Sequence, residues 1–490
     1  MELKRLAVQG VFWSGTRIWG TRAVTFIVFA ILSRLLTPET FGLIALAYLF
    51  ITFAQTFQDQ GFGDAIVQRA DLKPEHLDTA FWTNLGISAA LALISIAGAG
   101  LISELFHEPE LAPIIRWLSL GFVFSGLIGV QQAIVRRQLE FRKLALAEIL
   151  ALVISGGLAV ALAILGFGVW SLVVQDLVNL AVVALVLWVV SDWRPGFHFS
   201  RVRFAELSSF GLNIIGINVL NFVNMHTDDL LIGYFLGPTL LGFYTVAYKL
   251  FGITKDLLTS VTNAVAFPVF SRLQDDPDRM RQSFYKVVRF TSLISFPAFI
   301  GMSVLAPQLI PALFGPQWTL SIPVLQVLAI IGILHSMLYY HDSFVYALGK
   351  PAWRLAMIAL NAVSNVIAFA IAVRWGIVAV AAAYVIRGYL LSPLEFWMVS
   401  KLGGIDVKIY LRQLVVPAIA SLLMAATVFI LKTPIGRVSS LQVQVAVCVI
   451  LGCGIYAAVV QLLAPRLRIQ LLELLHVLVP ARFFPRTEKL

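Results

Sequence analysis

Runs of about twenty apolar residues recur along the whole length of this 490-residue chain, and that recurrence leaves few architectures open. A run of this length, wound as a helix at 1.5 Å per residue, crosses the ~30 Å hydrocarbon core of a bilayer. Lipid offers the backbone no hydrogen-bond partners, so runs of this length are helices, and barrel strands would be half as long. Candidate spans fall at 12–36, 41–58, 79–102, 114–135, 144–165, 169–190, 210–235, 240–268, 284–306, 320–347, 354–373, 376–398, 411–431 and 441–464, about fourteen in all. Hydrophobic residues make up 59% of the chain and charged residues 13%, which leaves no room for a large soluble domain. The expected fold class is an all-α polytopic membrane protein.

The net charge of +10 is spread over short loops and forms no basic tract, which argues against a nucleic-acid partner. Arg136, Arg137, Arg142 and Lys143, then Arg194, Arg201 and Arg203, then Arg272, Arg279, Arg281, Lys286 and Arg289 fall in alternate loops. The intervening loops at 37–40, 104–113, 166–168, 237–239 and 306–319 carry almost no Lys or Arg. By the positive-inside rule the basic loops are cytoplasmic, and with an even number of spans so are both termini. Basic residues precede the first apolar run without a small-residue cleavage site, so the run is expected to be a retained span. The tail 465–490 sets Arg466, Arg468, Arg482, Arg486 and Lys489 around leucines, which suits either an amphipathic segment on the inner leaflet or a solubilising end. Cys448 and Cys453 share one apolar segment without metal-ligand spacing, so both are expected to be packing residues. No metal or cofactor is expected.

The chain repeats itself. The segment LLTPETFGLIALAYLF at 35–50 returns as FLGPTLLGFYTVAYKL at 235–250, pairing Pro38 with Pro238, Gly42 with Gly242, Ala47 with Ala247 and Tyr48 with Tyr248 at one offset of 200. Six spans separate the copies. An even unit gives both halves the same orientation, so two parallel six-helix lobes are expected, related by an axis along the membrane normal. The expected division is 1–192 for the N-terminal lobe, 193–400 for the C-terminal lobe, 401–464 for two additional helices and 465–490 for the tail.

The stretches VFWSGTRIWG, ILSRLLTPETFGLIALA, FQDQGFGDAIVQR, ELAPIIRWLSL, RRQLEFRK, DDLLIGYFLGPTLLGFYTVAYKL, FPVFSRLQDD and RQSFYKVVR follow one another over about residues 1 to 400. In that order they resemble the polysaccharide transport family, in its Wzx-type, WzxC-like branch. That family belongs to the multidrug/oligosaccharidyl-lipid/polysaccharide (MOP) exporter superfamily, which has the same six-plus-six-plus-two organisation. The resemblance implies a flippase in a bacterial inner membrane. It would move undecaprenyl-diphosphate-linked oligosaccharide units from the inner to the outer leaflet for exopolysaccharide, capsule or lipopolysaccharide assembly. Its implied partners are the lipid-linked substrate, membrane lipids, a coupling proton or sodium ion, and polysaccharide polymerase and export machinery.

The residues supply candidates of their own. The apolar segment 210–234 carries Asn213, Asn218, Asn221, Asn224, His226, Asp228 and Asp229, and polar groups persist at membrane depth where they face a bundle interior or a watery path. Successive residues on a helix diverge by about 100°, so Asp228 and Asp229 cannot serve one partner. Asp228, Asp229 and His226 are candidates for ion coupling or gating, with Asp229 and His226 as the proton-coupling pair, and hydrogen bonding or pairing with Lys249 or Lys255 is the competing reading. A diphosphate calls for forked, permanently charged donors. Arg17, near the expected cytoplasmic interface, and Arg22, roughly one and a half turns deeper, fit that role, with Lys249, Lys255 and Arg387 as candidates in the second half. The competing reading has Arg17 snorkelling to headgroups and Arg22 pairing with a buried carboxylate. Tyr339, Tyr340 and His341 are candidates for a glycan path or, equally, for helix packing. Further acidic residues in or beside spans are Asp59, Asp64, Glu148, Asp176, Asp256, Asp342 and Glu395.

Two other classes compete with a flippase. A multidrug cation antiporter, driven by protons or sodium, would favour an acidic and aromatic cavity over embedded Arg and Lys. A membrane glycosyltransferase or ligase would be expected to carry a long extramembrane catalytic loop, and every loop here is short.

Overall fold

The computed structural model describes residues 2–58, 61–69, 71–201, 211–438 and 440–464, with side chains described outside 2–18, 211–214, 259–268 and 437–438. The expected amphipathic tail and Asp59 lie outside the described residues, as do the side chains of Arg17 and Asn213. Helices α1 (Glu2–Leu35), α2 (Pro38–Gln58), α3 (Phe62–Gln68), α4 (Pro74–Phe106), α5 (Leu111–Arg137), α6 (Phe141–Ile164) and α7 (Val169–Val190) come first. They are followed by α8 (Gly211–Arg272), α9 (Pro277–Phe314), α10 (Ser321–Leu338), α11 (His341–Ala347), α12 (Pro351–Ala372), α13 (Ile377–Gly403), α14 (Val407–Val438) and α15 (Leu441–Leu463). Pro38, Pro74, Pro277 and Pro351 each open a helix, where the missing N–H would find no intrahelical acceptor and the fixed φ suits the first turn.

Twelve described stretches are long and apolar enough to cross a membrane. One of them, Ile215–Leu258, runs 44 residues, about twice what a bilayer core needs. Gly237 breaks it at φ 81°, a left-handed conformation that a side chain would oppose, and this is the turn expected between two spans at 237–239. Counting that helix as two crossings and adding α1 accounts for about fourteen. Large apolar side chains such as Leu101, Leu165, Val189, Leu390 and Ile450 stand exposed, as lipid-facing positions do.

The expected span at 320–347 is one membrane-length stretch, Ser321–Ala347, built of two helices, α10 and α11. Tyr410 donates its hydroxyl to the Met337 carbonyl at 2.5 Å. That carbonyl would otherwise accept the N–H four residues on, so the ladder stops and the chain turns through Tyr339 and Tyr340 before α11.

The chain forms two compact units. The first takes in the chain up to Ala247 with Leu313–Ser321 and Ile358–Tyr384, and the second takes in Tyr248–Ala312, Ile322–Met357 and the chain from Val385 on. In the first, α1 packs along α6, α4 along α5, and α7 on both α5 and α6. Phe62, Ile66, Phe81, Val130 and Ile134 form one core of that unit. In the second unit Phe284, Tyr340, Phe344, Met398 and Tyr410 build the core, and α14 packs against α15.

Candidate functional site

At one end of the first unit the two copies of the internal repeat meet. A methyl group on Gly42 would land in the carbonyl of Pro238, and one on Gly242 would land in the carbonyl of Pro38. Only the absence of a Cβ on both glycines lets the two backbones come this close. Around this seam Trp318 is fully buried, with Phe41 and Phe243 edge-on to its ring at 5.3 and 5.8 Å. Its indole N–H donates to Ser33 O at 2.7 Å, the Gln317 amide donates to the same carbonyl at 2.8 Å, and Ser321 Oγ donates to Phe243 O at 2.7 Å. Arg34, on α1 beside this seam, donates through Nε to Leu313 O at 3.0 Å. It thereby caps the end of α9, where carbonyls lack intrahelical partners and a cation suits the helix dipole.

The polar seam of α8 divides its two carboxylates as helix geometry requires. Asp228 is buried and accepts the Tyr244 hydroxyl at 2.7 Å, across the Gly237 break. Asp229 faces His226, one turn back, with Nδ1 and Oδ2 3.3 Å apart and both side chains about a third exposed. Asn224, one turn before Asp228, accepts two hydrogen bonds from the buried Asn365 amide, 2.8 Å to Oδ1 and 3.1 Å to the backbone oxygen. The seam is therefore fixed at Asp228 and Asn224 and more open at Asp229 and His226.

The cations fall in both units. Arg22 is half-buried on α1. In the second unit Lys255 and Arg387 both lie close enough to His335 to act on it electrostatically. Lys249 lies within electrostatic reach of Asp256. Lys255, Arg387 and His335 each sit on a helix long and apolar enough to cross a membrane.

Tyr340 and His341 are fully buried in the core of the second unit, and Tyr339 alone of the three keeps part of its surface. Tyr340 shares a hydrogen bond of 2.6 Å with Thr291 Oγ1. His341 lies 3.9 Å from Glu395, which accepts from Arg354 at 3.2 Å, and Arg354 also reaches Asp342 at 2.6 Å. In the first unit Asp176 is hydrogen-bonded to Tyr48. An apolar cavity of about 560 Å³ opens between α9 and the last two helices, lined by Leu293, Pro297, Met302, Met424, Val449 and Tyr456 among others. Cys448 and Cys453 border it, both free.

A family model described as Polysaccharide biosynthesis protein matches residues 31–323, more than half of the chain. The chain belongs to that family. It is 29% identical over 339 residues to the Lipopolysaccharide biosynthesis protein WzxC of Escherichia coli (strain K12), across 69% of each chain. The Succinoglycan biosynthesis transport protein ExoT of Rhizobium meliloti (strain 1021) is 31% identical over 326 residues, 66% of each chain. The Teichuronic acid biosynthesis protein TuaB of Bacillus subtilis (strain 168) is 25% identical over 87% of this chain and 89% of its own. Among solved structures, the lipid II flippase MurJ in an inward closed conformation aligns with a TM-score of 0.76 at 14% identity, over 93% of this chain and 99% of its own. An inward-facing multidrug resistance MATE transporter of the MOP superfamily aligns at 0.61 and 18% identity, over 77% and 93%. At such identities the likeness is one of fold, and it is the fold of the superfamily that the sequence motifs resemble.

Several polar side chains at membrane depth escaped the sequence reading. Asn365 and Arg354 hold networks together without a local motif to announce them. A further group, Gln55, Gln58, Asn84, Ser125 and Gln132, lines a polar cavity of about 420 Å³ in the first unit. The one signal available was helical spacing: Gln55 and Gln58 lie three apart, and Ser125, Gly129, Gln132 and Arg136 recur at three to four residues, so each set shares a helix face.

Proposed function

We propose that this chain is a flippase for undecaprenyl-diphosphate-linked oligosaccharides in a bacterial inner membrane, with both termini in the cytoplasm. The observation that carries the reading is the positive charge on membrane-length helices, with Lys255 and Arg387 converging on His335, in a chain of the polysaccharide biosynthesis family. Embedded cations suit a diphosphate, which must bring two adjacent negative charges through the bilayer. Arg17 and Arg22 are the proposed receivers of the diphosphate from the inner leaflet, and Lys249, Lys255 and Arg387 extend the path. The prenyl chain stays in apolar surroundings, and the 560 Å³ apolar cavity beside α14 and α15 offers it a protein surface.

Transport proceeds by alternating access, with the six-helix halves, 1–192 and 193–400, rocking about the substrate. Asp229 with His226 is the proposed ion-coupling pair, because their side chains stay partly accessible while Asp228 is held by Tyr244. Tyr339 is the proposed glycan contact among the three aromatic candidates. A polysaccharide polymerase and export machinery are the proposed partners downstream. A drug-cation exporter of the same fold would need the opposite charge in its path.

The test is translocation of a fluorescent undecaprenyl-diphosphate oligosaccharide in proteoliposomes, read by quencher access to each leaflet. Wild type is expected to move the lipid, Arg22→Ala to lose at least tenfold in rate, and an imposed pH gradient to change the rate through Asp229. Equal rates with and without protein would end the flippase reading. A wild-type rate in a folded Arg22→Ala variant would remove Arg22 from the headgroup path.

A further inference from the structure

The amide-lined cavity of the first unit is built by three helix faces closed by a short fourth helix. Gln55 and Gln58 come from the last turn of α2, Asn84 from α4, and Ser125, Gly129, Gln132 and Arg136 from one face of α5, while Phe62, Gly63 and Asp64 of α3 close it. The short helix is held in place. Gly61 turns the chain at φ 76°, and Arg137, pointing away from the cavity, donates to the carbonyls of Ile66 at 2.7 Å and Arg69 at 2.6 Å. Phe62 and Ile66 are buried in the core beneath. The walls are equally fixed, because Gln58 Nε2 donates to Ser88 Oγ at 2.7 Å and Asn84 Nδ2 to Gly126 O at 3.4 Å. With those NH₂ groups engaged by the scaffold, the amide oxygens remain to accept hydrogen bonds, and Gln55, Gln132 and Ser125 add groups that both donate and accept.

We propose that this cavity is a docking site for the sugar portion of the transported lipid, resting on the flippase reading above. Four properties point to a polyhydroxylated ligand. The lining is rich in amides, which match vicinal hydroxyls as donor and acceptor together. Its charges are confined to the Asp64–Arg136 pair, 3.6 Å apart with side chains 69% and 47% exposed, so no buried charge awaits an ion. Its volume of about 420 Å³ falls within the ~300–1,000 Å³ of small-ligand pockets. It also opens at the end of α5 that leads into the basic loop with Arg136, Arg137, Arg142 and Lys143, the side from which a lipid-linked sugar would enter.

The experiment measures thiol accessibility in the full chain in proteoliposomes, with Cys448→Ala and Cys453→Ala removing the native thiols. Gln132→Cys reports the cavity, Ser125→Cys serves as a second reporter, and Gln138→Cys marks the adjoining exposed turn. The probe is the oligosaccharide released from the producing cell's own surface polysaccharide, and sugar-free undecaprenyl diphosphate is the comparison. The expected result is at least threefold slower maleimide labelling at 132 or 125 with the oligosaccharide, and an unchanged rate at 138. The proposal is overturned by unchanged labelling at both cavity positions, by equal slowing at 138, or by equal slowing with sugar-free diphosphate. Protection in a chain that moves no lipid-linked oligosaccharide would keep the pocket and end the flippase reading. Translocation without protection would do the reverse.

Discussion

The first unit has a dry end and a wet end, and α2 runs through both. At the seam of Gly42 and Gly242 the backbones touch, Trp318 has no exposed surface, and the nearby polar side chains donate to backbone carbonyls. At the other end of α2, Gln55, Gln58, Asn84 and Gln132 face open space. Close packing makes the first end sensitive to any change of volume, since interiors this dense leave no slack. The amide end keeps polar side chains along a cavity, and of these Gln58 and Asn84 also bond to neighbouring helices. On the alternating-access reading proposed above, the first end would serve as a seal and the second as a mouth.

The contrast breaks if the two ends respond alike to substitution. Trp318→Ala removes a fully buried indole and is expected to destabilise the chain by about 3–5 kcal/mol, read as a large fall in Tm in detergent. A fall no greater than that of a lipid-facing substitution such as Leu390→Ala would show that the seam is not a core. Gly42→Val forces a side chain into the Pro238 carbonyl, and overpacking of this kind costs about 1–3 kcal/mol. The sealed conformation should lose population roughly ten- to hundredfold. A cysteine replacing the buried Ser33 would then be labelled correspondingly faster by an impermeant maleimide added outside, and an unchanged rate would mean that the seam is not the seal. At the wet end, Gln132→Leu is expected to alter stability by less than about 0.5 kcal/mol while slowing transport, and a large Tm loss there would erase the distinction.

The smallest effect is expected beside the seal. Burial, with Glu39 and Glu110 nearby, pushes the Glu108 carboxyl above its ordinary value of 4.5. A raised carboxyl binds more protons folded than unfolded, so this corner loses stability as pH rises from about 4.5 through the raised value. Glu108→Gln should therefore raise Tm slightly at neutral pH and leave it unchanged at pH 4. A rise that persists at pH 4 would point to lost packing strain, with no electrostatic origin.

Much of the fold was legible because a bilayer demands long apolar helices, and hydropathy reports them directly. The break at Gly237 was readable from a glycine and a proline between two spans, and the divergence of Asp228 and Asp229 from the turn angle of a helix. The stretch at 320–347 is legible as one span, but its break into two helices is not, because the side chain bonded at the break, Tyr410, lies about seventy residues away. Tyr340 and His341 were candidates for an open glycan path, yet they lie in a core. In a membrane protein both lipid-facing and core-facing positions are apolar, so a polar residue's direction is poorly encoded in the pattern around it.

The sequence by itself determined the helical membrane class, the duplication at an offset of 200 and the family. Each follows from local composition or from order along the chain. Tertiary structure alone decided that the duplicated Pro38, Gly42, Pro238 and Gly242 touch one another, and that five side chains from three helices make one amide-lined cavity. Those outcomes depend on how helices distant in sequence are packed, and the side chains that decide this packing are too few and too dispersed to leave a periodic trace.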